Sequence, residues 1–181
     1  MTDEEYYGRY LKGDETGIDE LVKKYGSPLT LYISGYIRDI NEAEDLMIEA
    51  FTYLFAKRPR IRSGGLRAYL YKTARHLALR HKSSRKQVFS FEDLKDEPES
   101  DILVEEVLKT KEKHKILRLC MEKLNPPYRE ALFLVYFEGM SHAETASLMG
   151  KTEKQIADLV YRGKNSLRKC LEGEGISNED Q

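Results

Sequence analysis

The stretch "SHAETASLMGKTEKQIADLV", residues 141–160, carries two helix-start signals eleven positions apart. In "SHAE" the hydroxyl of Ser141 can accept a hydrogen bond from the backbone N–H of Glu144, while the Glu144 carboxylate reaches back to the first N–H. The segment "TEKQ" at 152–155 repeats this capping box. Gly150 lies between the two signals and is the residue type that most often ends a helix. The stretch therefore predicts a tight helix-turn-helix.

The second helix of this hairpin combines an apolar inner face with a polar outer face. Such a helix can enter the major groove of DNA, where its N-terminal turns reach bases and its basic positions reach phosphates. The alternative interpretation is an ordinary helical hairpin that does not bind DNA, because two caps and a glycine are common. The residues expected to pack the two helices together are Ala143, Ala146, Met149, Ile156, Leu159, Val160 and Leu167. The outer positions are Lys154, Gln155, Asp158, Arg162, Lys164, Arg168 and Lys169.

Apolar residues at helical spacing run through most of the chain, and no alternating strand pattern of useful length appears. The clearest apolar stripe covers residues 43–54 and follows Asn41, which is the expected N-cap. Upstream, "SPL" is expected to begin a separate helix, with Ser27 as the cap and Pro28 in the first turn. These patterns predict an all-α chain.

A loop, "KRPRIRSGG", precedes the next predicted helix, which covers about residues 66–81. Leu66, Leu70, Ala74 and Leu77 are expected to face inward along it. Two more helices are predicted beyond, over about residues 103–124 and 127–138. The second of these is expected to end at Gly139, a natural C-terminal cap residue.

The net charge of -1 hides a strong segregation of charge along the chain. Residues 1–56 carry 12 acids and 5 bases, whereas residues 57–86 carry 11 bases and no acid. Residues 87–106 then carry 8 acids and 1 base. A block with only positive charge is typical of a surface that binds a polyanion, because each neutralised phosphate releases a condensed counterion. A basic solvated face is the alternative interpretation of the block.

Several classes of protein are disfavoured by composition and motif. No run of about 18 apolar residues and no signal peptide is present, so we expect a cytoplasmic protein without membrane insertion. Cys120, Cys170 and the four histidines show no metal-ligand spacing, and we interpret all six as structural or surface residues. No catalytic motif is visible, so we predict a protein that is not an enzyme and holds no metal or cofactor.

The predicted architecture is two small helical modules joined by a flexible acidic linker, the C-terminal module being a helix-turn-helix. We expect the first module over residues 1–86, the linker over 87–102 and the second module over 103–181. The linker contains Pro98, a dense acid run and no sustained helical period.

Two motif blocks resemble the sigma-70 family of RNA polymerase factors. The first block resembles region 2, "AEDL-x-x-E-x-F" followed by "F-x-x-W-L-x-x-I-A-R-N", and is matched at Ala43, Glu44, Asp45, Leu46, Glu49, Phe51, Leu66, Tyr69, Leu70, Thr73, Ala74, Arg75 and His76. The second resembles region 4 and is matched at Leu124, Pro126, Arg129, Glu138, Gly139, Ser141, Glu144, Ala146 and Gly150. The length, and the direct passage from one block to the other, are similar to the extracytoplasmic-function (ECF) group.

This resemblance implies a bacterial transcription initiation factor that binds core RNA polymerase and recognises and melts promoter DNA. The clamp of the largest polymerase subunit would be contacted by Asp45, Ile48, Glu49 and Thr52. The melted minus-10 strand, with a base flipped into a pocket, would be held by Arg58, Arg60, Arg62, Arg67, Tyr69, Lys72, Arg75, His76 and Arg80. The duplex minus-35 element would be read by Lys151, Thr152, Lys154, Gln155, Asp158, Arg162 and Lys164.

The resemblance also implies a role for the linker and a further partner. The acidic linker would occupy the RNA exit path of the polymerase, and an anti-sigma factor is a common partner in the family. The chain departs from the family at Tyr69, which replaces a usual Trp, and at Asp158, which lies in place of a frequent Ser. A helix-turn-helix regulator acting without core polymerase is the alternative function. Such a regulator would need an effector pocket or phospho-acceptor in the N-terminal half, where the pattern shows neither.

Overall fold

The computed structural model describes residues 1–37, 39–81 and 111–175. The chain divides into two compact units, Met1–Gln87 and Val88–Gln181, which are treated separately below. The predicted acidic linker, 87–102, lies outside the described residues, as does the start of the helix predicted from 103.

The first unit contains α1 (Asp3–Leu11), α2 (Thr16–Ser34), α3 (Ile40–Lys57) and α4 (Leu66–His81). The sequence patterns predicted α3 and α4, and helical sequence at the end of α2, but not α1. Thr2 and Glu5 form a capping box at its start, with 3.2 Å between the Glu5 nitrogen and the Thr2 hydroxyl oxygen. Three acids in the first turn favour the helix because they face the positive end of its dipole.

The second helix is continuous through Pro28, so the prediction of a new helix capped by Ser27 was wrong. A proline inside a helix removes one backbone hydrogen bond and costs roughly 3 kcal/mol. The residues on either side outweigh this cost, since Leu21, Leu29 and Ile33 are all 0% exposed. Each such side chain stabilises the fold by about 1.5–3 kcal/mol when it leaves water.

The third and fourth helices complete the core of the first unit. Asp39 caps α3 by accepting from the Asn41 and Glu42 N–H groups, so Asn41 is not the N-cap as predicted. The four inward positions predicted for α4 are buried, which confirms the interpretation of that helix. The rings of Tyr32 and Tyr71 join α2 to α4 with 5.3 Å between their centroids.

The second unit contains α5 (Lys111–Lys123), α6 (Pro126–Leu132), α7 (His142–Met149) and α8 (Glu153–Gly173) in its described part. The helix predicted over 127–138 is instead α6 followed by a π-helical turn at Phe133–Phe137. Gly139 then adopts φ 59°, a left-handed conformation that favours glycine, and the chain turns into α7.

Helices α7 and α8 form the predicted helix-turn-helix. Both capping boxes are present, and Gly150 ends α7 in the left-handed conformation with φ 66°. Ala146, Met149, Ile156, Val160 and Leu167 are buried as predicted, Leu159 is half-buried and Ala143 is exposed. In the first turn of α7, only Ala143 is exposed, while Thr145 is fully buried.

The two cysteines are joined in a disulfide between α5 and α8, with 5.7 Å between their Cα atoms. The sequence showed no spacing that predicted this pair, because a separation of 50 residues carries no local signal. The bond links α5, the first of the described helices in the second unit, to the last turn of α8. Separately, none of the described helices is long and apolar enough to span a bilayer.

Candidate nucleic-acid interfaces

The loop between α3 and α4 begins and ends in left-handed conformations. Arg58 ends α3 with φ 43°, which is uncommon for a residue with a side chain, and Gly64 has φ 75°. The N–H of Gly65 donates to the carbonyl of Arg62 at 2.9 Å and closes a tight turn just before α4. The side chains of Arg58, Arg60 and Arg62 are exposed.

One face of α1 contacts both ends of this loop. The hydroxyl of Tyr7 donates to the Pro59 carbonyl at 3.0 Å, and a carboxylate oxygen of Glu4 accepts from the Gly64 N–H at 2.8 Å. The sequence analysis missed these α1 residues. The signal present in the sequence was the spacing of three between Glu4, Tyr7 and Tyr10, which places them on one helix face.

Tyr10 contacts the beginning of the same loop. Its hydroxyl donates to the carbonyl of Phe55 at 2.9 Å, in the last turns of α3. The guanidinium of Arg58 lies 5.2 Å from the centre of the Tyr10 ring, a cation–π distance. Arg58, predicted to bind DNA, therefore also contacts α1.

Tyr7 lies among the predicted strand-binding residues. Burial raises its pKa above the usual value, the neighbouring hydroxyls of Tyr69 and Tyr10 raise the pKa further, and Arg58 lowers it. Tyr69 of α4 is half-buried beside this group. The loop, α1 and the start of α4 therefore form one polar surface.

The basic residues of α4 fall on different sides of the helix. Lys72, His76 and Arg80 are exposed and, being four residues apart, lie along one face of α4, whereas Arg75 is half-buried. Arg67 is also half-buried, and it lies close enough to Tyr25 to oppose the rise that burial causes in the pKa of that tyrosine. The exposed group with Tyr69 resembles the combination of cations and aromatic faces that binds single strands.

The exposed face of α3 carries the residues predicted to contact the polymerase. Asp45 and Thr52 are exposed, Glu49 is half-buried and the apolar side chain of Ile48 is 57% exposed. The Thr52 hydroxyl donates to the Ile48 carbonyl at 2.9 Å. An exposed large apolar residue between acids fits a protein partner better than DNA, since acids repel phosphate.

The first turn of α8 holds two of the predicted duplex-reading residues in its cap. The Gln155 side-chain oxygen accepts from the Thr152 N–H at 2.9 Å, and the Thr152 hydroxyl accepts from the Gln155 N–H at 3.2 Å. Bidentate recognition of adenine by Gln155 would need this oxygen orientation to change. The seven predicted positions are all exposed: Lys151, Thr152, Lys154, Gln155, Asp158, Arg162 and Lys164.

Further along α8, one predicted residue has a protein contact and one residue was missed. The Lys164 ammonium lies 5.2 Å from the centre of the Tyr136 ring in the π-helical turn. Within the described chain Asp158 makes no ion pair with Lys154 or Arg162. Tyr161, three residues after Asp158 on the same face, is 69% exposed, and the sequence analysis did not identify it as a candidate DNA contact.

A close helix crossing fixes the direction of α8. A Cβ atom on Gly163 would lie 3.2 Å from Leu132 and 3.2 Å from Tyr128, both in α6. Glycine lets α8 approach α6 at this point and turns the opposite face, with Asp158 and Arg162, toward solvent. In the described residues no cluster of His, Cys, Asp and Glu could hold a metal ion.

Comparison with protein families finds two matches in order along the chain. The model of sigma-70 region 2 matches residues 21–88, and the model of sigma-70 region 4 matches residues 114–167. The first match contains the α3 face, the loop and α4, and the second contains α7 and most of α8.

Similar curated proteins carry related names. RNA polymerase sigma factor SigZ of Bacillus subtilis is 28% identical over 157 residues, covering 86% of this chain and 88% of that protein. ECF RNA polymerase sigma factor SigM, also of Bacillus subtilis, is 24% identical and is covered over 99% of its length. RNA polymerase sigma-H factor of Pseudomonas aeruginosa is 27% identical over 94% of both chains.

Two solved structures share the fold. CnrH, in complex with the cytosolic domain of CnrY, superposes with a TM-score of 0.66 at 16% identity over 94% of this chain and 97% of that one. RpoE of Bartonella quintana, in complex with the anti-sigma factor NepR, gives a TM-score of 0.59 at 18% identity over 86% and 96%. The two family regions occur in the expected order along the chain, and the curated relatives are matched over most of their length. The chain therefore belongs to the sigma-70 family of RNA polymerase factors, in its ECF group.

Proposed function

We propose that the protein is a transcription initiation factor that binds core RNA polymerase, recognises the minus-10 and minus-35 promoter elements and promotes melting. The observation that carries this proposal is the presence, in one chain, of a basic loop and helix in one unit and a doubly capped helix-turn-helix in the other. It acts in the cytoplasm with the polymerase, and an anti-sigma factor is the further partner suggested by family membership.

The α3 face is the proposed contact with the clamp of the largest polymerase subunit. It offers the exposed Ile48 as an apolar anchor and Asp45 and Glu49 as partners for basic side chains. Asp45 and Glu49 lie on α3, whereas the basic residues of the same unit lie mainly on the 58–65 loop and α4. This separation lets one small unit contact a protein and a polyanion with different faces.

The loop and α4 are the proposed site for the melted minus-10 strand. Exposed cations at Arg60, Arg62 and Lys72 neutralise phosphates, and Tyr69 offers an aromatic face to an unstacked base. Binding of the flipped base stabilises the open strand and supplies the free energy for melting, so no hydrolysis is needed.

The helix-turn-helix is the proposed reader of the minus-35 duplex, and its α8 would lie in the major groove. Lys154 and Arg162 are the strongest candidates because their exposed side chains have no intramolecular ion pair among the described residues. Lys151 at the start of the helix is positioned for a phosphate contact. Since the other unit provides a second proposed DNA contact, the affinity of the helix-turn-helix alone for the minus-35 duplex can be modest.

Reconstitution with bacterial core polymerase tests the proposed function directly. Templates randomised at the minus-10 and minus-35 positions are transcribed with core alone and with core plus the protein. We expect start-site-specific transcripts only when both are present, with enrichment of sequence at both elements. Tight, specific duplex binding without core, together with no transcripts, would establish the regulator function instead.

The clamp contact has its own test. Replacing Asp45 and Glu49 with Lys should abolish co-purification with core polymerase while the melting temperature stays unchanged. The matched control replaces Asp19 and Glu20, two exposed acids of α2, with Lys. Undiminished binding of the first variant to core would refute the assignment of this face.

A further inference from the structure

The helix α1 contacts the loop at both ends through backbone atoms of the loop. Tyr7 binds the carbonyl oxygen of Pro59, and Glu4 binds the N–H of Gly64. Between these two contacts, the side chains of Arg60, Arg62 and Ser63 are exposed. These contacts hold the path of the loop backbone and leave its cations available.

The loop has conformational features that need such support. Arg58 has a left-handed backbone at φ 43°, which costs of order 1 kcal/mol or more in a residue with a side chain. Its guanidinium stacks over Tyr10 of α1, and the turn at Gly64 is fixed on the same helix. Without α1 the loop would lose three of its contacts, and binding would have to order it at an entropic cost.

Glu4 is an acid placed against the basic block. Residues 57–86 contain no acid, and the Glu4 carboxylate reaches this surface from α1 to bind the Gly64 N–H at 2.8 Å. By charge alone, an acid here weakens the attraction of the surface for a polyanion. The negative charge of Glu4 therefore lowers the affinity for DNA, whereas its hydrogen bond to the loop is expected to raise it. Substitutions that remove one property and keep the other can separate the two effects.

Gly17 sets the position of α1 on α2. A Cβ atom on Gly17 would overlap the carbonyl oxygen of Tyr6, so only glycine allows α1 to lie this close. Asp3 adds contacts with Lys24 and with the Tyr25 hydroxyl. The helix that holds the loop is thus itself anchored to the core of the first unit.

We propose that α1 is a positioning element for promoter melting, in which Glu4 and Tyr7 hold the 58–65 loop in the conformation that binds the melted minus-10 strand. This inference rests on the proposed function of the loop. Glu4 and Tyr7 act through the loop backbone and need not touch the DNA. Their loss lowers affinity for the open strand because the bound conformation is no longer prepared in advance.

The test compares Glu4→Ala, Glu4→Gln and Tyr7→Phe in the full chain bound to core polymerase. The probe is the single-stranded minus-10 sequence selected by the wild-type holoenzyme from the randomised templates, measured at one fixed salt concentration. Glu4→Ala removes both charge and acceptor, and we expect affinity to fall about three- to ten-fold, as for one lost hydrogen bond. Glu4→Gln removes the charge but keeps an acceptor, so its affinity should equal or exceed that of the wild type.

A second readout shows whether the loop itself has changed. Glu4→Ala should accelerate hydrogen exchange of the Gly64 amide about ten-fold, as expected when one hydrogen bond that limits local opening is lost. Tyr7→Phe should lower the affinity for the single strand, as Glu4→Ala does. Core affinity should stay constant for all three variants. Tyr6→Phe and Glu20→Ala are the matched controls, on α1 and α2.

The outcomes separate this inference from the proposed function. If the wild-type holoenzyme fails to bind the strand, or if Arg60→Ala and Arg62→Ala bind it normally, the proposed function of the loop fails and this inference fails with it. If those arginine variants weaken binding while Glu4→Ala binds as tightly as Glu4→Gln, only the positioning role of α1 is overturned.

Discussion

The guanidinium of Arg129 in α6 donates from Nε to the carbonyl oxygen of Met121 in α5 at 2.8 Å. The same side chain donates to the carbonyls of Glu122 and Leu124 at 2.7 and 2.9 Å, and its residual exposure is 4%. These carbonyls lie at the C-terminal end of α5, where helical partners are missing. Arg129 therefore ends α5 and fixes its angle to α6.

Replacement of Arg129 should destabilise the second unit. We expect Arg129→Met to lower the free energy of unfolding by roughly 3 kcal/mol, because three carbonyls, two of them buried, lose the guanidinium as donor and the Glu122 carboxylate loses its ion pair with it. Arg129→Lys should recover little of this, since an ammonium cannot reach all three carbonyls. Urea denaturation measures both variants. A loss below about 1 kcal/mol for either would contradict this account.

Two glycines of α2 should respond oppositely to alanine. Gly17→Ala forces a Cβ into the backbone of α1 and should destabilise the first unit by roughly 1–3 kcal/mol, as overpacking does. At Gly26 the new Cβ would meet Met47 and Val22 at 3.9–4.0 Å, an ordinary contact, so Gly26→Ala should be neutral or gain up to about 1 kcal/mol. Thermal unfolding distinguishes the two, and equal effects would argue against the close approach of α1.

The buried hydroxyl of Thr145 should destabilise the helix-turn-helix. Thr145 is 0% exposed, and its hydroxyl has no hydrogen-bond partner among the described residues. Thr145→Val keeps the shape and removes the unpaired group, so we expect a gain of about 1 kcal/mol. Calorimetry checks the sign. A clear loss of stability would show that the hydroxyl is bonded.

Reduction of the disulfide should weaken the second unit. The Cys120–Cys170 bond closes a loop with a separation of 50 residues, and chain entropy then predicts a stabilisation of about 4 kcal/mol. The melting temperature of this unit should fall when a reducing agent is added. The Cys120→Ser, Cys170→Ser double variant should start lower and show no response to the agent. If the reducing agent left the melting temperature of the wild-type chain unchanged as well, the disulfide would not stabilise this unit.

Asp158 is the residue whose substitution tests base reading by α8. Since it pairs with neither Lys154 nor Arg162 in the described structure, we predict that it accepts from a cytosine amino group. Asp158→Ala should then change the preferred base at one minus-35 position in the randomised-template selection. Tyr161→Ala, on the same face, should weaken transcription without that change. If Asp158→Ala left the base preference unchanged at every minus-35 position, Asp158 would have no role in base reading.

Local signals predicted much of the second unit. Ser141 with Glu144, and Thr152 with Gln155, are capping boxes formed by residues three apart, so neighbouring sequence contains all the partners they need. Gly150 adopts the left-handed cap for the same local reason. In the first unit, the apolar spacing identified α3 and α4 and the four inward positions of α4.

The errors of the sequence analysis lie where distant residues decide. Pro28 predicted a helix start, but burial of Leu29 and Ile33 on the core outweighs the missing hydrogen bond. The N-cap of α3 is an exception, because this error is local: Asp39, two residues before the predicted Asn41, caps the helix. The disulfide, and the π-helical geometry of the last turn before Gly139, also have no local signature.

By itself, the sequence determined the all-helical class, the charge segregation and the helix-turn-helix, because periodicity and caps act over a few residues. Only the tertiary structure decided that α1 lies against the 58–65 loop, with Glu4 on Gly64 and Tyr7 on Pro59. Those partners are separated by 60 and 52 residues. Contacts of that range form only when α1, α2 and α3 pack together around a shared core, and no pattern within one helix specifies them.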